Sequence, residues 1–147
     1  MYIYKDIMKQ EKNNLRVGKK PSTKGSKMIQ LKLPIKIIPK KRPIVTKNGT
    51  FMPKPYMEQR KLIQAKLGGF TKLNGELGMD CLFIFKQSKT NHKNKMSMPV
   101  GDVDGLIGSL MDACEGVLYD NDRCIVEINS KKMWGHEDMF IMTLKEV

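Results

Sequence analysis

The sequence predicts a single domain of the α+β class, with one mixed β-sheet and two main helices. Three observations support this class. The chain has 147 residues, which fits one domain. Segments of alternating polarity, typical of strands, occur in both halves of the chain, and two segments with helical spacing lie between them. The resulting order is strands, helix, strand, helix and two strands, and no internal repeat is visible.

The first predicted strand lies in "MIQLKL", where Ile29, Leu31 and Leu33 alternate with polar residues. Pro34 follows directly, and because proline has no amide proton to donate to a sheet, it bends the strand there. Further along, the dipeptide Asn48-Gly49 predicts a tight hairpin turn.

Three later segments are predicted to be strands. Residues 80–87, "DCLFIFKQ", have a continuously apolar centre, which is typical of a strand buried on both faces. Residues 123–132 and 139–146 alternate in polarity. The intervening "MWGHED", in which Trp134 packs the turn, predicts a hairpin, so we expect this last pair of strands to pair antiparallel.

Two segments have the spacing of helices. Residues 55–67 begin with a proline and are followed by Gly68-Gly69, which is the expected punctuation at the two ends of a helix. Residues 105–116 carry apolar side chains at helical spacing and predict an amphipathic helix that ends at Gly116.

Charge divides the chain into a basic front and an acidic back. Residues 1–101 carry 23 basic and 5 acidic side chains, and residues 102–147 carry 4 and 10, so the formal net charges are +18 and −6. The front is suited to a polyanion such as nucleic acid, and the acids are suited to cations. A basic protein with a solvated acidic face is the alternative that charge leaves open. Residues 1–27 are predicted to be a flexible basic arm ahead of a domain at residues 28–147.

Several protein classes are disfavoured by composition. No apolar run approaches the roughly 20 residues that a membrane span needs. The N-terminus is too highly charged for a signal peptide. Cys81, Cys114 and Cys124 are odd in number and form no C-x-x-C pair, which argues against a disulfide framework or a zinc site. We therefore expect a cytoplasmic protein with no membrane partner.

Aspartates flank the second predicted helix on both sides. Asp102 and Asp104 precede it, and Asp120 and Asp122 lie in the loop that follows, so we expect both pairs to meet at the same end of the layer. Converging carboxylates repel each other unless a cation is present, and such oxygen ligands select Mg²⁺ or Mn²⁺. An ion of this kind polarises a phosphodiester and activates water. The alternatives are that Asp104 caps the helix and that Asp112, on the polar face of the helix, has a solvated or structural role.

The run "GDVDGLIGSLMDACEGVLYDNDRCIVEINSKKMWG" resembles the signature of the RusA family of Holliday junction resolvases. The family pattern is D-x-D-N-L-x-K, then D-A-L, then G-V-L-Y with an acidic cluster, then a strand that leads to Lys/Arg and an aromatic-Gly pair. The segment "PKKRPIVTKNGTFMPKPYMEQRKLI" is similar to the family's basic segment, turn and first helix. The resemblance covers residues 30–145, approximately.

This resemblance implies a RusA-like fold, a homodimer and an Mg²⁺-dependent endodeoxyribonuclease, with Mn²⁺ as a second possible metal. Its substrate would be branched DNA, namely four-way junctions cut by paired symmetrical nicks, in recombination and repair in a bacterial or phage-infected cell. By position, the catalytic and metal-binding aspartates are Asp102, Asp104 and Asp122, and Asp120 is a further predicted ligand. The predicted DNA-binding residues are basic side chains from three regions: Lys40, Lys41, Arg42, Lys86, Lys89, Lys93, Lys95, Lys131 and Lys132.

Two departures from the family pattern affect the functional prediction. Gly105 stands where the family has Asn, and Gly108 stands where it has Lys. Three explanations are open. The glycines admit a phosphate to the helix N-terminus, or the protein binds junctions and cuts them poorly, or a lysine of another element supplies the charge. The candidates for that lysine are Lys89, Lys93, Lys131 and Lys132. A non-enzymatic nucleic-acid-binding protein and a ribosome-associated RNA binder therefore stay as alternatives.

Overall fold

The computed structural model describes residues 20–21, 27–87, 98–99 and 101–147. Most of the predicted basic arm lies outside these residues, so its boundary at residue 27 stays a prediction. In chain order the described elements are β1 (Lys20–Pro21), β2 (Lys27–Leu33), β3 (Ile44–Thr46), β4 (Gly49–Phe51), α1 (Lys54–Leu67), β5 (Leu77–Lys86), α2 (Val103–Cys114), β6 (Ile125–Gly135) and β7 (Met139–Glu146).

The described strands form a five-stranded mixed sheet and a separate two-stranded ribbon. The order of the main sheet is β1-β2-β7-β5-β6, and β3 pairs with β4 alone in the ribbon. Strands β5 and β6 are parallel, and the other neighbours are antiparallel. The predicted α+β class, mixed sheet and two main helices are therefore confirmed in the described part of the chain.

The predicted pairing of the last two strands is wrong. Strands β6 and β7 run in opposite directions, but β5 lies between them and pairs with both. The physical reason is burial. Strand β5 carries apolar side chains on both faces and takes a central position, whereas residues 126–129 of β6 are all exposed, which suits an edge strand.

The main core lies between one face of the sheet and the two helices. Strand β2 contributes the predicted alternating residues Ile29, Leu31 and Leu33, which are all buried, whereas Gln30 between them is exposed. Helix α2 contributes a buried apolar stripe that includes Leu106 and Leu110. Helix α2 thus packs its apolar stripe into the core, and its first turn lies at the surface.

The helices begin and end close to their predicted bounds. Helix α1 starts one residue early, at Lys54. Helix α2 starts two residues early, because the Asp102 carbonyl already accepts the Leu106 amide at 3.0 Å. It ends at Cys114, where Glu115 becomes extended and Gly116 turns the chain with a φ of 79°. In the described part of the chain, no helix has both the length and the apolarity to cross a membrane.

The buried side chain of Gln59 joins three parts of the fold. Its Oε1 accepts the Ile38 amide at 2.6 Å, and its Nε2 donates to the Ile38 carbonyl at 3.3 Å. The same Nε2 donates to Ser109 Oγ on α2 at 2.8 Å. One amide side chain of α1 therefore satisfies the backbone of the segment 34–43 and a buried hydroxyl of α2.

Replacing Gln59 by leucine should destabilise the fold. The Ile38 amide and carbonyl lose their partner, and each unsatisfied buried group costs about 1–3 kcal/mol, so we expect Gln59→Leu to lower the free energy of unfolding by about 2–4 kcal/mol. Urea denaturation measures the change. Gln64→Leu on the same helix is the matched control and should change the free energy by less than about 0.5 kcal/mol. Equal values for the two variants would contradict the assignment.

Candidate functional site

The first turn of α2 presents two exposed carboxylates. Asp102 is the extended N-cap residue, and Asp104 lies in the first turn. The Asp102 side chain accepts no capping hydrogen bond. Within the described residues, no hydrogen bond or ion pair engages either carboxylate. Asp104 is therefore not the N-cap, and both carboxylates are accessible to a ligand from solvent.

The basic segment crosses α2 directly beside these carboxylates. The Lys40 amide donates to the Gly105 carbonyl at 2.9 Å. A Cβ atom on Gly105 would lie 3.2 Å from Pro39 Cβ, and one on Gly108 would lie 3.4 Å from Lys40 Cδ. The two glycines thus leave the space that the Pro39–Lys40 backbone and the Lys40 side chain occupy. Gly105 is the position that admits this crossing, whereas a Cβ on Gly108 would make an ordinary van der Waals contact with a flexible side chain.

The far end of the Lys40 side chain reaches Asp112, one turn beyond Gly108. Lys40 Nζ lies 3.2 Å from Asp112 Oδ1, the Tyr56 hydroxyl donates to Oδ2 at 2.5 Å, and Arg60 Nη2 lies 3.9 Å away. Burial and the bond to Asp112 together raise the pKa of Tyr56 to about 12. Asp112 is therefore partly buried and contacts three side chains, which is the structural role among its alternatives and not the solvated one.

Asp122 lies near the opposite end of α2. The buried Tyr119 hydroxyl is 2.9 Å from Asp122 Oδ1 and 3.0 Å from the Met111 carbonyl oxygen. The charge of Asp122 raises the pKa of the neighbouring Glu115. Since Met111 lies seven residues beyond Asp104, roughly 10 Å along the helix axis, the expected meeting of Asp122 with the first pair does not occur within one chain.

The fourth predicted acid, Asp120, pairs with a lysine. Its carboxylate lies 2.8 Å from Lys72 Nζ at the surface. Across the described residues, no group of three or more His, Cys, Asp or Glu side chains is arranged to hold a metal ion. Among the residues that the structure describes, the carboxylates at the start of α2 are therefore those of Asp102 and Asp104, without a third.

Lys132 positions the loop that leads into Asp102. Its Nζ donates to the Pro99 carbonyl at 2.9 Å and to the Gly101 carbonyl at 2.7 Å. The side chain is partly buried because β6 runs beside α2 and brings Lys132 to the start of the helix. Two of its three donors are thus used inside the fold, whereas the neighbouring Lys131 is exposed.

The other predicted DNA-binding residues have three different placements. Lys41 and Arg42 are exposed and directly follow the residue that crosses α2. Lys86 is exposed at the end of β5. Lys89, Lys93 and Lys95 lie outside the described residues. The structure therefore places the Lys40 backbone beside the first turn of α2 and its ammonium at Asp112 near the end of the helix, and Lys41 and Arg42 follow Lys40 in the chain.

Sequence reasoning missed the side chains that hold this arrangement together. Gln59 and Tyr56 were placed on α1 only as members of a helix, and Tyr119 only as part of the G-V-L-Y signature. Buried polar side chains leave little signal in one sequence, and the bonds from Tyr56 to Asp112 and from Gln59 to Ser109 each join residues at least 50 positions apart. The presence of glycine at two helix positions was the one available signal of a close crossing.

The fold is an α+β fold in which two helices cover one face of a mixed sheet. At the start of one helix, two exposed carboxylates lie next to the point where a basic segment crosses the helix. The family model described as Endodeoxyribonuclease RusA matches residues 34–143. This match covers most of the chain, and the chain belongs to the RusA family of Holliday-junction-resolving endodeoxyribonucleases. The predicted family assignment is thereby confirmed.

Two further comparisons add little to this assignment. No curated protein matches the sequence. Among solved structures, the chain is similar to one in "Crystal structure of HypE-HypF complex", with 10% identity and a TM-score of 0.39. The similarity covers 95% of this chain and 41% of that chain. The present chain thus spans less than half of the length of that structure.

Loss of the Lys132 ammonium should loosen the loop before α2. Charge-assisted hydrogen bonds contribute about 1.5–3 kcal/mol each, so Lys132→Met should accelerate amide hydrogen exchange at Gly101 and Asp102 by about tenfold or more. Exchange measured by NMR checks this. Lys131→Met is the matched control, and its exchange rates should equal those of the wild type. Unchanged rates in Lys132→Met would contradict the positioning role.

The two glycines of α2 should respond differently to alanine. Gly108→Ala should raise the free energy of unfolding by about 0.5–1 kcal/mol, because alanine favours the helix and the flexible Lys40 side chain moves aside. Gly105→Ala should lower it by about 1 kcal/mol, because Pro39 is rigid and the next amide is bonded to Gly105 itself. Urea denaturation compares the two. Equal gains would mean that the crossing tolerates a side chain at both positions.

Proposed function

We propose that this protein is a metal-dependent endodeoxyribonuclease that resolves four-way DNA junctions by paired nicks. One observation carries the proposal. The exposed pair Asp102 and Asp104 lies next to Gly105, where the Lys40 backbone crosses α2, and the exposed basic residues Lys41 and Arg42 follow Lys40 in the chain. A phosphodiester held by the cationic side chains would lie next to the carboxylates. Family membership supplies the class of reaction.

The carboxylate pair fits a magnesium ion. Proteins bind Mg²⁺ through one or two carboxylates, while water and substrate phosphate oxygens complete its octahedron, and Mn²⁺ accepts the same ligands. Asp102 and Asp104 would hold the ion. When bound, the ion would polarise the phosphodiester and lower the pKa of a coordinated water. The protein's own part is to hold the loop through Lys132 and to bind the flanking phosphates through Lys41 and Arg42.

Lys40 is the candidate for the cation that α2 itself lacks. Its aliphatic chain lies over Gly108, where the family pattern has lysine, and its ammonium pairs with Asp112, one turn further along the helix. We propose that Lys40 supplies positive charge near the phosphate in place of that lysine. Its bond to Asp112 would keep the side chain on the helix surface.

Asp122 and Asp120 stay predicted ligands by resemblance. Because Asp122 lies near the other end of α2, its participation requires a second chain or a rearrangement of the loop after α2. A homodimer is part of the proposal, since a two-fold enzyme suits two symmetrical nicks. A role in recombination and repair in a bacterial or phage-infected cell completes it.

A second candidate is a junction-binding protein that cuts weakly or not at all. The observation that favours it is the absence of a third carboxylate near Asp102 and Asp104 among the described residues, together with Gly108 in place of lysine. Such a protein would still bind DNA through the cationic segment, but its rate of strand cleavage would be low or zero. A preference for RNA over branched DNA would instead favour the ribosome-associated alternative.

Asp104→Asn should abolish cleavage while binding persists. With a synthetic four-way junction and Mg²⁺, we expect the wild-type protein to make paired nicks. Asp104→Asn should reduce the cleavage rate by about 100-fold or more, because a metal ligand at the reacting phosphate is lost. Gel analysis of end-labelled strands measures both rates. EDTA should stop the wild-type reaction.

The matched control is Asp80→Asn, an aspartate on the sheet face away from α2 that pairs with Lys145 at 3.3 Å. This variant should cut at the wild-type rate. Tight junction binding without nicks in either Mg²⁺ or Mn²⁺ would overturn the nuclease proposal and support the second candidate.

A further inference from the structure

The β3–β4 ribbon stands apart from the main sheet. Its two strands pair with each other and with no described strand of the main sheet, and every residue from 44 to 51 is exposed. A two-stranded ribbon is marginally stable by itself, and exposed apolar surface on such an element marks an interaction site. The exposed apolar side chains of the ribbon therefore indicate a binding surface for a partner.

Three large apolar side chains project from this ribbon. Ile44 is 44% exposed, Phe51 52% and Val45 79%. Ile44 and Phe51 are direct cross-strand partners, so they share one face, and Val45 lies on the other. One apolar face with an aromatic ring is suited to stacking on a planar group, and this is the contact that an unstacked base offers.

The surrounding charge identifies the partner class. Residues 34–57 contain no acidic side chain, and their basic residues are Lys36, Lys40, Lys41, Arg42, Lys47 and Lys54. An apolar protein partner would not need this charge, whereas a nucleic acid offers phosphates to the lysines and base faces to the ring. Paired duplex buries its base faces, so the partner must expose them at a branch or opening.

The ribbon is also tied to the candidate catalytic surface. Lys40, whose amide bonds to Gly105 on α2, precedes Ile44 by four residues, which is at most about 14 Å of extended chain. At the other end, Pro53 leads into α1. The apolar face is therefore held within one or two nucleotide steps of the basic cluster Lys40–Arg42.

We propose that the β3–β4 ribbon recognises the branch point of DNA, with Phe51 and Ile44 stacked on unpaired or unstacked bases and the flanking lysines on the adjacent phosphates. The ribbon thereby distinguishes branched DNA from linear duplex by shape. This inference rests on the proposed function for its choice of DNA, and not on cleavage.

The test uses a four-way junction and a linear duplex of the same sequences, with 2-aminopurine at the branch position, in EDTA so that no strand is cut. Wild-type protein should bind the junction more tightly and raise the probe's fluorescence as the base unstacks. Phe51→Ala should weaken junction binding by about tenfold and lose the fluorescence rise, while duplex affinity stays within about twofold.

Leu62→Ala is the matched control, because Leu62 is 50% exposed on α1, away from the ribbon. It should bind both probes as wild type does. Thermal melting should give equal stability for both variants. An Ile44→Ser, Phe51→Ser double variant repeats the test with the whole apolar face removed.

Three results would overturn the inference. Unchanged junction binding by Phe51→Ala would show that Phe51 makes no stacking contact with a base. Equal losses on junction and duplex make the ribbon a general DNA contact. A change of oligomeric state in light scattering assigns the ribbon to contact between copies of the chain. Failure of the nuclease proposal is observed separately, as absence of Mg²⁺-dependent nicks by wild-type protein that still binds the junction.

Discussion

The contact between the Pro39–Lys40 backbone and helix α2 is the constraint on which the rest of the site depends. A single amide-to-carbonyl bond, Lys40 to Gly105, joins the cationic segment to the helix that carries the carboxylates. It depends on Gly105, because a Cβ atom there would lie only 3.2 Å from Pro39 Cβ. Two glycines, which are poor helix formers, destabilise the first two turns of α2. In return, the Pro39–Lys40 segment has a fixed position over those two turns.

Buried polar groups stabilise this crossing from both sides. Gln59 satisfies the backbone of Ile38, which would otherwise be left without partners against the helices. Asp112 is balanced by Lys40, Tyr56 and Arg60, so its charge is compensated where it is partly removed from water. The same contacts thus hold the Lys40 backbone beside the first turn of α2 and its ammonium at Asp112, near the end of the helix. Stability and the placement of charge are produced by one set of contacts.

The order of the strands places the other side of the site. Strand β5 is central because its two apolar faces need cover, and this leaves β6 at the edge next to α2. Lys132 thereby reaches the carbonyls before Asp102 instead of extending into solvent. Lys132, a predicted DNA-binding residue, therefore also has a structural task, because its ammonium satisfies two loop carbonyls. The position of Asp122 near the other end of α2 follows from the same topology.

The sequence by itself determined the class of fold, the bounds of most elements to within two or three residues, and the family. These features are local: the alternation at Ile29, Leu31 and Leu33, the proline and glycines around α1, and the ordered acids around α2 are each read over a few residues. Only the tertiary structure decided the neighbours of β6, the separation of Asp122 from Asp102 and Asp104, and the roles of Lys132 and Asp112. Those depend on which distant segments come together, and burial of apolar faces and satisfaction of buried polar groups select that arrangement across the whole chain at once.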